Sequence, residues 1–228
     1  MFRLGLLCAF LIAVSAEDMD SCYDKSKKAC NSLDFVDKKA LFTNCNAVYG
    51  NIMDFQADLQ AYVNAHIESS FEFLLMSTHF GNYEANRDGF KTLYRKLSDK
   101  TWEDAFDLIK FIAKRGGKMN FNQLPRIKGS TQIKSKKILQ LNEIHSLSKA
   151  LDIEKQLAEE ALYIHSRAQQ HSKQDASVAH YLEEQFLEPQ SDVVRQLAGH
   201  ITDLKKLLTD HDASLSVFMF DEYLKKLM

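Results

Sequence analysis

The stretch from Trp102 to Met119 reads WEDAFDLIKFIAKRGGKM, and it decides the fold. Ala105, Leu108, Ile109 and Ile112 recur at three- and four-residue steps, the period of one helical face. Lys114 and Arg115 fill the last turn, where cations complement the helix dipole, and Gly116-Gly117 stops the helix. Upstream, Phe90, Leu93 and Leu97 carry the same stripe back, which predicts a helix from about Arg87 to Arg115. A helix before it, from about Asp54 to Phe80, puts Phe55, Leu59, Tyr62, Val63, Ile67, Phe71 and Leu74 on one face and ends at Gly81-Asn82. The later helix carries carboxylates where a buried metal site could be built. Yet the sequence contains no Glu-x-x-His, the pattern that sets two ligands on one face.

Downstream comes a connection of roughly 20 residues containing Pro125, long for a compact domain. A third helix is predicted over Ile138 to Gln170, with Ile144, Leu147, Leu151, Leu157, Ala161 and Ile164 as its apolar stripe; Glu154 falls within the stripe and so points inward. The fourth starts near Asp175 and reaches about Leu208, and Pro189 should kink or break it. A fifth segment, Ser214 to Leu227, holds Leu215, Val217, Phe218, Phe220 and Leu224 and is too short to be stable alone. Two prolines and eight glycines in 228 residues agree with an all-α fold. Four long helices with one long crossover between the second and third is the ferritin-like arrangement, whereas a cytokine-type signalling bundle needs two.

The N-terminus reads as an export signal: Arg3, an apolar run from Leu4 to Val14, then small residues Val14-Ser15-Ala16. The run is shorter than the ~20 residues of a membrane span. Residues 1–16 are therefore a signal peptide, 17–53 a cysteine-bearing extension and 54–228 the helical domain. Cys8 leaves with the signal. Cys22, Cys30 and Cys45 stay in an oxidising compartment, so one internal bridge leaves one sulfur for a neighbouring chain, the alternative being a free buried thiol. Lys+Arg total 29 against 31 Asp+Glu, and the most basic stretch, Lys128 to Lys137, reads as a solvated loop, so nothing calls for nucleic acid.

Short stretches in order carry a resemblance. Phe71 to Phe80 (FEFLLMSTHF) resembles the first helix of ferritins, and Trp102–Ala105 with Lys114–Met119 the end of their second. Leu151–Lys155 resembles their third, Tyr181–Leu187 their fourth, and His200–Lys206 with Phe220-Asp221 its end and the fifth. The likeness covers Asp54 to the C-terminus, apart from a longer crossover and a small insertion before the fourth helix. The signal and N-terminal cysteines look most like secreted insect-type ferritin, and within it the light-chain homologues. The resemblance implies a hollow shell of roughly 24 subunits that stores iron as ferric mineral. In it, heavy-type chains oxidise ferrous iron and light-type chains supply wall and a nucleating inner surface.

The same resemblance identifies the centre. Where catalytic subunits carry a first-helix Glu, this chain has His66; a nearby Tyr falls at Phe73; the bridging Glu of the second helix falls at Thr101 and its His partner at Asp104. The third-helix carboxylate is kept as Glu154 and the fourth-helix amide as Gln190. A threonine hydroxyl cannot bridge two irons as a carboxylate does. His66, Asp104 and Glu154 are left as a remnant that could bind one metal or serve as a hydrogen-bonded polar cluster. The expectation is a non-catalytic subunit; a working ferroxidase using His66, Asp104, Glu154 and Gln190 is the rival.

Asp99, Glu103 and Asp107 are spaced four apart on one stripe and are nucleation candidates, with a solvated charged face as the plain reading. Lys96 and Lys100 stand at two other positions where mammalian light subunits carry nucleating carboxylates. Glu183 matches a carboxylate of the three-fold pores, His180 replaces the other, and His165 matches a histidine beside the pore. His145, His171 and His200 read as surface or packing histidines. Phe71, Phe73, Phe90 and Phe218 read as core and subunit-contact residues, Met76 and Met219 as gap fillers, and no haem is expected.

Overall fold

An apolar stripe on a long helix has to be covered, and here each helix covers its neighbours. The computed structural model describes residues 21–23, 26, 45–121, 142–170, 172, 174–210 and 212–227, mostly helix joined by turns and irregular links, with no strand among them. The helices are α1 (Ile52–Phe80), α2 (Asp88–Lys114), α3 (Glu143–Ala168), α4 (Ala176–Leu182), a π-helical turn (Glu183–Leu187), α5 (Glu188–Asp210) and α6 (Ala213–Leu227). The α1–α2 pairing is the most extensive; α3 packs on α1, α4 and α5, and α6 on α2 and α5. The residues divide into Met1–Ala47 and Val48–Met228.

The predicted stripes form the core, with one shift. On α1 the buried series runs Phe55, Leu59, Tyr62, Val63, His66, Ser70 and Phe73, so Phe71 falls one residue off the stripe and is 60% exposed. Phe218 and Met219 likewise face outward on α6, so Met219 fills no gap in this chain, unlike Met76, which is buried. Several polar groups within the core are paired: Ser70 and Ser98 each donate to the other's carbonyl, at 2.8 and 2.9 Å. Tyr94 and Ser146 hydroxyls meet at 2.6 Å.

The domain starts earlier than residue 54. Gly50 is left-handed, with φ +63°, and feeds Tyr49 and Asn51 into a buried knot. There Arg115 donates to Asp175 Oδ2 at 2.8 Å and Oδ1 at 3.3 Å and to the Tyr49 carbonyl at 3.0 Å, with its guanidinium 4.2 Å over the Tyr49 ring. Asp175 also accepts the Asn51 N–H and caps α4 through the Val178 N–H. Burial pushes the Asp175 carboxyl up, but Arg115 and the two N–H donors outweigh it and hold it below its ordinary value. Arg115, expected only as a dipole complement, thus ties the end of α2 to the start of α4. Gln56 and Gln60 of α1 hold the chain leaving α2, at Lys118 and Asn120. Beyond that, residues 122–141, including the basic stretch and the first predicted turn of the third helix, lie outside the described residues.

Pro189 neither breaks the rod nor ends it. A proline lacks the N–H for the helical ladder, and its ring strikes the carbonyl four residues back. The turn before it widens into the π register, with the Glu188 N–H bonded to Glu183 O, and the helix continues to Asp210. This turn leaves both Phe186 and Gln190 buried.

At the far end α6 supplies what α2 lacks. Arg87 offers the first turn of α2 no side-chain cap; the buried Asp221 of α6 accepts the Phe90 N–H instead, at 3.1 Å. The approach is close: a Cβ on Gly89 would lie 2.2 Å from the Asp221 carbonyl oxygen. Gly89→Ala should therefore lower the thermal midpoint, costing about 1–3 kcal/mol of overpacking. Gly199→Ala, with nothing within 4 Å of the new Cβ, should raise it by about 0.4–1 kcal/mol. Differential scanning calorimetry of both variants checks the contrast.

Candidate metal centre

Between α1, α2, α3 and α5 lies a buried set of polar side chains. The 3.6-residue period turns Tyr62 and His66, one turn apart, to the same inner face of α1, and the imidazole lies 4.5 Å from the Tyr62 ring, edge to face. Phe186, held inward by the π turn, touches both rings at 5.4 Å. His66 is 1% exposed, and neither ring nitrogen meets a partner in hydrogen-bonding geometry. Burial, then the Lys100 charge, push it down to about 3 against a weaker pull from the Thr101 backbone, so the ring is neutral. Thr101 spends its hydroxyl on the Leu97 carbonyl of its own helix. Gln190 donates to the Tyr62 hydroxyl at 3.4 Å and leaves its own Oε1 without a partner.

Two carboxylates border this set. Glu154 points inward as predicted, 5% exposed, and burial followed by the Asp104 charge push it up to about 7, against Lys100. Asp104 is half-buried and paired with Lys100 in the i,i+4 relation; burial raises its carboxyl, Lys100 opposes, and Asp107 and Glu103 add to the rise. Among the described residues no three His, Cys, Asp or Glu side chains come together as a metal-binding group. The sequence-predicted His66, Glu154 and Gln190 are thus all buried in the bundle, while Asp104 turns to its lysine. Tyr62 and Lys100 were missed as members of the centre. The i,i+4 spacings Tyr62–His66 and Lys100–Asp104 were the available signals.

The predicted surface residues are where an exposed face puts them. Asp99 pairs with Arg95 at 2.8 Å and Asp107 with Lys110 at 2.8 Å, while Glu103 stands exposed between them. His165 lies 3.7 Å from Glu183, across the α3–π contact, and His180 3.5 Å from Glu184 on its own rod. Of the histidines read as surface or packing, His145 is exposed, His200 is buried against α6, and His171 lies outside the described residues. Cys22 and Cys45 form a disulfide, with Cα atoms 5.0 Å apart; Cys30 and the signal residues 1–16 lie outside the described residues.

Residues 56–207 match the family described as "Ferritin-like domain". The ferritin light chain of Trichoplusia ni is 41% identical over 99% of this chain and 98% of its own length. That of Drosophila melanogaster is 42% identical over 92% of each. The crystal structure of Trichoplusia ni secreted ferritin superposes with a TM-score of 0.80 at 39% identity, over 92% of this chain and all of that one. The chain belongs to the ferritin family.

As a ferritin it belongs to a family that stores iron in shells of light and heavy chains, and its relatives here are insect light chains. Among the described residues no helix is long and apolar enough to cross a membrane. The buried carboxyl gives this ferritin a pH signature. A carboxyl raised in the folded state binds its proton more tightly there than in the unfolded chain, where it ionises near 4.5. Its ionisation therefore erodes stability as pH rises from about 4.5 to about 7. Glu154→Gln should gain about 1–3 kcal/mol over the parent at pH 8 and almost nothing at pH 4.5. Denaturant unfolding at the two pH values checks this.

Proposed function

We propose that this chain is the non-catalytic, light-type subunit of a secreted ferritin, a wall component of a mixed shell of roughly 24 subunits in which heavy-type chains oxidise the iron. The observation that carries this is the neutral interior of the bundle. Oxidising ferrous iron at a pair of sites needs ionised carboxylates facing each other, with one shared between the two ions. Here the first-helix position is an uncharged imidazole, His66. The shared position is a threonine hydrogen-bonded to its own helix. The third ligand, Asp104, is held by a lysine. Glu154 remains, a single buried carboxyl pushed up to about 7 by burial, with no second carboxylate gathered with it as a metal-binding group among the described residues. His66, Asp104 and Glu154 are then a polar remnant with at most weak single-ion binding.

The exposed carboxylates suit the light-type role. Asp99, Glu103 and Asp107 lie along one exposed stripe of α2 and, on the cavity wall, would gather the ferric ions that partner chains release. Glu183 and His180 would line the entry pores, with His165 behind Glu183. The Cys22–Cys45 bridge accounts for two of the three mature cysteines, which leaves Cys30 to crosslink this chain to a heavy-type partner. Export follows from the signal-like residues 1–16 and fits the secreted relative.

Stopped-flow absorbance separates this reading from a working ferroxidase. The pure chain should oxidise ferrous iron no faster than buffer, and mixing it with the heavy-type subunit should restore rapid turnover. Rapid oxidation by the pure chain would overturn the proposal. In mixed shells Asp99→Asn with Glu103→Gln should slow mineral growth severalfold without changing the first oxidation phase. On non-reducing gels the parent should run partly as a dimer with another chain, and Cys30→Ser as a monomer.

A further inference from the structure

Among the described residues His200 is the one buried histidine that the candidate centre does not use, and it sits at the joint between α5 and α6. It projects from α5 into the underside of α6, 5% exposed, with its Nε2 lacking any partner. The α6 rings of Phe220 and Tyr223 close around it at 5.9 and 6.2 Å, nearly perpendicular to the imidazole. The helix it contacts is held by few other polar ties: Ser216 donates to the Leu207 carbonyl, and Asp221 accepts from Phe90. α5 ends at Asp210 and α6 begins at Ala213, packing on α2 and α5.

We propose that this joint is an acid-released latch: neutral His200 lets α6 close over it, and protonation, which places a charge between two aromatic rings with no acceptor at Nε2, drives α6 off. Asp203, on the same helix, is the charge that acts on His200; burial outweighs it and lowers the imidazole. From α6 the facing groups are the Phe220 ring and the Tyr223 phenol. The charged groups of α6 beside these rings are taken up elsewhere: Asp221 accepts the Phe90 N–H, and Lys225 pairs with Glu222 at 2.7 Å and lies 3.7 Å from Asp221 and 3.9 Å from Asp88.

The sign follows from the depressed imidazole. Above the ordinary histidine value, about 6.5, closure is complete. As pH falls below it, the released form takes up the proton that the closed form refuses, and the closing equilibrium weakens by up to about tenfold per pH unit. Release would uncover Phe220 and Leu224 and strip the Asp221 cap from α2. The latch lies within one chain and does not depend on whether the chain oxidises iron. In a shell wall it would turn acidification into loosening.

Hydrogen–deuterium exchange on the assembled full chain tests this, at pH 7.5, 6.5, 5.5 and 5.0, with rates corrected for the intrinsic effect of pH. Peptides from α6 and the Phe90 amide should lose protection together below pH 6.5, by up to about tenfold per unit, while the C-terminal half of α2 stays protected. His200→Gln and His200→Phe, both uncharged throughout, should abolish the pH dependence. An α6 whose protection is flat in the parent, or falls equally in either folded variant, would overturn the latch.

Discussion

The inner faces of the bundle are shielded from solvent, and that constraint orders much else in the molecule. Helices that bury their inner stripes against each other leave water no access, so an inward polar group must be paired or neutral. Ser70 with Ser98 and Tyr94 with Ser146 meet the first condition. His66 meets the second, and Glu154 meets it in part, being pushed to about 7. Where the resemblance places carboxylates of catalytic subunits, this chain carries His66 and Thr101, groups that a solvent-shielded interior tolerates without charge. The proposed lack of catalysis and the tolerance of these buried positions would then share one cause.

The two ends of the bundle are held by charged groups that reach between elements. At one, Arg115 and Asp175 join the chain entering α1, the end of α2 and the start of α4. Breaking one partner of such a buried pair is costly, because it strands the other charge. The knot therefore fixes the segment that carries His180 and Glu183. At the other end, Asp221 reaches from α6 to cap α2, and Gly89 permits the approach. The outward face of α6, with Leu215, Phe218 and Met219, stays exposed in the single chain.

Much of this was legible in the sequence. The stripes located every long helix, and the position of Glu154 within the α3 stripe predicted its burial, because a helix of regular period leaves little choice of face. Phe71 was misplaced because Phe73 competes for the same stripe two residues on, and hydrophobicity alone cannot choose between them. Pro189 was expected to kink or break the fourth helix; the helix continues through it by way of a π turn, a change of register that residue type does not announce. Lys100 and Tyr62 were not placed at the centre because their roles depend on contacts between or along helices, such as Lys100 neutralising Asp104. The Arg115–Asp175 pair, 60 residues apart, was likewise beyond any local pattern. The long-range cap from Asp221 left only the trace of a glycine, Gly89, at the start of a helix.

The central claim is that the bundle interior holds no pair of redox-active ions. Anomalous diffraction from crystals soaked anaerobically in ferrous salt measures it most directly. The account predicts iron at the exposed carboxylates and at most one weakly occupied ion beside Glu154. Two fully occupied irons between α1, α2, α3 and α5 would contradict it.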